Sequence, residues 1–190
     1  MSATQGSDQN NGIASTATAP IRNLVDAVQE AAADYAPPGE DRPLRHYLAT
    51  MATYAGTVVT IATVGKLRGH QLPERLPWGD VALVTVATHK LARLIAKESV
   101  TSPLRAPFTR YQGVSGPAEL AEEVKGTGKA KAIGELLTCP FCLAVWCATG
   151  FTAGMVLAPR QTRLAATVMT AVAGSDTLQL LYAKAEQAVH

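Results

Sequence analysis

Charge is scarce in this sequence and unevenly spread. Asp, Glu, Lys and Arg make up 17% of 190 residues, below the roughly one quarter usual in soluble domains, and they cluster between long uncharged runs. A net charge of +2 gives no footprint for a nucleic acid, and 5% aromatics leave no stacking platform for bases. Cysteine is scarce too. All three lie between Cys139 and Cys147, an odd number in one short stretch, which excludes a disulfide framework of the secreted kind. The start, Met1–Pro20, has neither the basic n-region nor the apolar h-region of a signal peptide, so none is expected. It also has almost no large apolar side chains. Such a segment cannot bury enough surface to offset its ordering entropy, and residues 1–20 are expected to be a disordered tail.

What the sequence does have is long uncharged runs. The length supports one domain. A short amphipathic helix comes first, over residues 21–36: Ile21, Leu24, Val25, Val28, Ala32 and Tyr35 follow helical spacing, while Asp26, Glu30 and Asp34 take another face. Its acidity favours packing on protein over an anionic leaflet. Residues 47–65 then hold no charge over 19 positions, close to the length of about 20 residues that crosses a hydrocarbon layer. Residues 136–158 lie in the longest such run, bounded by Glu135 and Arg160, and 164–183 is apolar apart from Asp176.

The segment 78–97 is different. It opens at Trp78, a side chain suited to a membrane interface, but carries His89, Lys90 and Arg93 inside. Their spacing puts these three on one face, with Leu83, Ala87, Leu91 and Leu94 largely elsewhere. Two readings stand open: long basic side chains reaching the headgroups, or a functional polar cluster completed by Asp176. An acid within a span needs a partner, so Asp176 is expected to pair with Lys90 or Arg93. Residues 98–135 read as a loop, with one or two helical turns in "PAELAEEVKG".

These runs imply an all-α integral membrane bundle of about four helices spanning 37–190, at about 47–65, 78–97, 136–158 and 164–183. Lys and Arg set the orientation. With the N-terminus cytoplasmic, the inner segments hold Arg22, Arg42, Arg45, Lys97, Arg105, Arg110, Lys125, Lys129, Lys131 and Lys184, and the outer ones only Lys66, Arg68, Arg75, Arg160 and Arg163. Both termini and the loop 98–135 are therefore expected on the cytoplasmic side of a plasma (inner) membrane. Gly150 and Gly154 form a GxxxG, expected to pack helices inside the bundle.

Chemistry-bearing residues centre on "ELLTCPFCLAVW". Cys139 and Cys142 flank Pro140 and Phe141 at a helix start, where the dipole favours a thiolate and proline suits the first turn. The pair supports three readings: packing, thiol redox chemistry, or a metal site completed by Cys147 or His89. A zinc site normally shows two pairs, and membrane thiol oxidoreductases usually need a second pair. In a reducing compartment the thiols are expected to stay free.

"THKLARLIAKE", "VTSPLRAPFTRY" and "GELLTCPFCLAVW" together resemble the bacterial DUF1360 family, from about Trp78 to Ala183. The resemblance implies small membrane proteins of unknown function, one Bacillus member being described as a sporulation protein. It implies that Arg93, Pro103, Arg105, Cys139, Pro140 and Cys142 match a recurring motif, and it brings no catalytic residues. The expected function is non-enzymatic, without cofactor, nucleic acid or identified small-molecule substrate: a structural or interaction protein in the bilayer that meets a protein partner or its own copy through the cytoplasmic loop. The alternatives are a thiol or metal protein using Cys139 and Cys142, and a small transporter or channel component using His89, Lys90, Arg93 and Asp176. Four helices without an internal repeat count against a monomeric transporter.

Overall fold

The computed structural model describes residues 20–32, 35–37, 40 and 42–189. The tail expected over 1–20 lies outside these apart from Pro20. Residues 20–32 are helical (α1), and Ile21 and Leu24 on it are exposed. Six further helices follow: α2 (Leu44–Leu67), α3 (Trp78–Lys97), α4 (Ser102–Arg105), α5 (Gly128–Thr138), α6 (Pro140–Leu157) and α7 (Pro159–Val189). A 3-10 turn at Ser99–Thr101 leads into α4, and two antiparallel strands, β1 (Thr109–Gly116) and β2 (Glu119–Val124), sit between α4 and α5.

Among the described residues three helices, α2, α6 and α7, are long and apolar enough to cross a membrane. Of the four expected spans, α3 is the one that does not meet this standard of length and apolarity, because it carries Asp80, Lys90, Arg93 and Lys97. Instead α3 is the enclosed element. Ala87, Ala92 and Ala96 on it are almost fully buried, and they let α6 approach closely enough for Leu143, Cys147, Phe151 and Met155 to pack on them. Ala166 of α7 closes the same core.

α2 is rich in threonine, which is unusual for a span. Each hydroxyl of Thr50, Thr53, Thr57, Thr60 and Thr63 donates to the carbonyl four residues earlier, at 2.8–2.9 Å. The hydroxyls are thereby satisfied within the helix, so lipid contact leaves no polar group unpaired.

The stretch 98–135 is not a loop, and the fold is not purely α-helical. "PAELAEEVKG" is a turn and strand rather than helix: Glu119–Val124 pairs with Thr109–Gly116 across a two-residue reversal at Pro117 and Ala118. Ala118 takes a φ of 60°, left-handed backbone that a Cβ rarely tolerates. Alanine and glutamate have weak strand propensity, so the strand is held by partners outside it. α5 lies against the hairpin base, where a Cβ on Gly134 would come 2.6 Å from Val124 and 3.1 Å from the Phe108 carbonyl. The chain breaks at Cys139, so α6 starts at Pro140 rather than at residue 136.

The GxxxG expectation splits. A Cβ on Gly150 would meet nothing within 4 Å, whereas one on Gly154 would lie 2.5 Å from Thr162 Oγ1. Gly154 serves the sharp α6–α7 reversal, where Ala158 N–H donates to the Gly154 carbonyl at 2.8 Å. Gly154→Ala is expected to lower the unfolding midpoint in detergent, by the equivalent of about 1–3 kcal/mol. Gly150→Ala should leave it unchanged. Equal losses at both would put Gly150 in a packed interface after all.

Candidate functional site

The polar residues gather at the C-terminal end of α3. Lys90 is on the buried face, 7% exposed, and a lone ammonium there would be very costly. Its Nζ reaches Asp176 Oδ2 of α7 at 2.7 Å and also pairs with Glu98, the residue that ends α3. Arg93, one turn on, pairs with Glu119 at the start of β2. Of the two cations expected to meet Asp176, Lys90 does so and Arg93 instead holds the hairpin. A backbone bridge between Glu98 and Glu119 joins strand and helix end directly.

These groups line a cleft of about 930 Å³ between α3, α7 and the hairpin tip, with exposed His89 on its wall. Two cations face three carboxylates, Glu98, Glu119 and Asp176. Each cation is thus matched, which makes the cleft a poor receptor for an anion and a strong clamp between elements.

Behind the cleft lies Arg105, fully buried. It donates to the Ile95 carbonyl at 2.6 Å, Thr101 Oγ1 at 2.7 Å and the Glu98 carbonyl at 3.0 Å, and its Nε pairs with Glu122 of β2. The carbonyls are those a helix leaves without internal partners at its C-terminus, and a cation there also suits the helix dipole. At the opposite end of α3, Asp80 accepts both arms of Arg163, at 2.9 and 2.6 Å.

The cysteines do not join this cleft. Cys139 caps α6, its Sγ accepting from the Cys142 N–H at 3.2 Å. Cys142 is exposed, and Cys147 is buried against Ala92 and Ala96 on another face. All three are free thiols. Among the described residues no group of three or more His, Cys, Asp or Glu side chains is placed to hold a metal ion. Near the pair, Glu135 accepts from Tyr47 of α2 and lies 3.6 Å from Arg42.

The ion-pair partnerships of Glu98, Glu119, Glu122, Asp80 and Arg163 are not evident from the sequence. The acids of β2 lie in a stretch read as a loop with helical turns, and only the Gly116–Pro117 punctuation between two short segments signals the hairpin that turns them inward. Nothing local connects Asp80 with Arg163, 83 residues away.

Lys90→Met is expected to cost about 3–5 kcal/mol, because it strands Glu98 and Asp176 together. Asp176→Asn should cost about 1 kcal/mol or less, since Asp176 is half exposed and Lys90 keeps Glu98. Exchanging the two charges should not restore stability, because the aspartate placed at position 90 would meet Glu98. Denaturant unfolding in detergent separates these outcomes, and full rescue by the exchange would remove Glu98 from the network.

Comparison with known proteins agrees with the motif. Over 71 residues the chain is 38% identical to the sporulation protein YjcA of Bacillus subtilis (strain 168), a match covering 36% of this chain and 60% of that relative. No solved structure matches. A family profile, described as a protein of unknown function, matches residues 83–182, from within α3 to near the end of α7. That is just over half of the sequence, and the chain belongs to the DUF1360 family.

Proposed function

We propose that this chain is a non-enzymatic, multi-pass protein of the bacterial plasma membrane that displays a folded platform, α4 to α5, to a protein partner on the cytoplasmic side. The observation that carries this reading is the anchoring of the hairpin. Arg105–Glu122 and Arg93–Glu119 fix it to the end of α3, yet Tyr111 and Val114 on β1 remain exposed. A segment with no more than a connecting role has no need of a buried arginine. In the proposed orientation both termini face the cytoplasm, as the Lys and Arg distribution favours. α3 then crosses as a fourth helix, its charges matched by α7 and the platform rather than exposed to lipid.

The relative in Bacillus subtilis carries the name of a process, sporulation, and not of a reaction. That suits an interaction role in a membrane assembly. A second reading, thiol chemistry at Cys139 and Cys142, draws on the exposure of Cys142 beside its partner.

Photoreactive residues at Tyr111 and Val114 are expected to give a discrete protein adduct in native membranes, while one at Val59 on α2 gives only lipid adducts. The adduct should persist when Cys139 and Cys142 are both serine. Loss of the adduct in the serine variant would favour the thiol reading, and absence of any adduct from the hairpin would end the platform reading.

A further inference from the structure

A second, wholly different cavity lies on the far side of α6. α2 touches α6 at two places. Tyr54 shares a 2.8 Å hydrogen bond with Thr149 and packs edge-on against Trp146, and near the other end Gly65 approaches Leu157. Between these contacts the helices part, leaving a groove of about 700 Å³. Its walls are apolar or small: Val58, Ile61 and Ala62 on α2, and Ala148, Ala153 and Val156 on α6. From Tyr54 to Lys66 it runs about 18 Å along α2, at about 1.5 Å per residue. Both walls belong to helices apolar enough to span, so with these helices in a bilayer the groove would open sideways into the hydrocarbon layer.

The two ends of the groove differ in charge. Tyr54 closes one. At the other stand Lys66, in the last turn of α2, and His70 just beyond it, both exposed and neither in a side-chain ion pair or hydrogen bond among the described residues. No carboxylate lines the groove. An apolar channel with two nitrogen donors at its mouth, at the membrane–water boundary, has the polarity of a lipid: tail inside, phosphate outside.

We propose that this groove is a specific site for one acyl chain of an anionic glycerophospholipid, in the leaflet adjoining the connection between Leu67 and Trp78, with the phosphate held by Lys66 and His70. A zwitterionic lipid fits less well, because its ammonium would lie beside the same two donors. A helix from a second copy is the competing occupant. It would cover the apolar walls but set Lys66 and His70 against protein with nothing anionic shown to receive them. The interaction is non-covalent and independent of the platform reading, since no hairpin residue takes part.

The test uses the full chain in mild detergent, with dioleoyl phosphatidylglycerol and dioleoyl phosphatidylcholine as probes. Native mass spectrometry should show one retained phosphatidylglycerol and much less phosphatidylcholine, and the first lipid should raise the thermal midpoint more. Lys66→Gln should weaken phosphatidylglycerol retention about tenfold, the equivalent of one charge-assisted hydrogen bond. Ala62→Phe, which fills the groove, should abolish retention. Lys66 is exposed and outside the core, so its variant decides the matter even if the phenylalanine variant fails to fold. Equal retention of the two lipids, an unchanged affinity in Lys66→Gln, or a chain-to-chain adduct from a photoreactive residue at Val58 would overturn the proposal.

Discussion

The position of the guanidinium of Arg105 governs much of this structure. A fully buried cation is tolerable only when its donors are all engaged. Here the partners come from three separate pieces of chain: the last turn of α3, the turn that follows it, and β2. The same side chain therefore ends a helix, closes a turn and fixes a strand. Thr109 Oγ1 donates to the Arg105 carbonyl at 3.0 Å and so ties β1 to the same residue. Once Arg105 is in place, Glu98 and Glu119 are brought alongside α3, and Lys90 and Arg93 acquire their partners. The cleft is a consequence of that seating rather than an independent feature.

The long apolar helices were legible in the sequence because crossing a bilayer imposes a simple requirement of length and apolarity, and Leu44–Leu67, Pro140–Leu157 and α7 meet it over stretches that composition alone reveals. The hairpin was not legible, because Glu119, Ala121 and Glu122 owe their strand conformation to Arg93, Arg105 and the pairing with β1 and not to propensity. Gly150 and Gly154 show the same limit at single-residue scale. Both fit a small-residue motif, yet one faces open space and the other a threonine across a reversal. The close-approach face was written elsewhere, in Ala87, Ala92 and Ala96, where alanine in an alanine-rich helix carries no distinguishing signal.

Membership of the family gains physical content from this arrangement. Of the residues that the resemblance singles out, Arg93 and Arg105 hold the hairpin, Pro103 lies in the first turn of α4, Cys139 caps α6 and Pro140 opens it. These roles are architectural. Cys142 takes part in the cap through its backbone N–H, and its thiol lies beside that of Cys139. The "CPFC" stretch is first a helix-start device, with one sulfur used as a hydrogen-bond acceptor.

The two helices that border the lateral groove are unequal in length. α2 has 24 residues and α6 has 18, or about 36 and 27 Å at about 1.5 Å per residue. A bilayer that suits α6 is too thin to hold the whole of an upright α2. The groove is closed at both ends by contacts on α6, at Tyr54 and at Gly65, and the extra length of α2 lies before Tyr54, where Tyr47 meets Glu135 of α5.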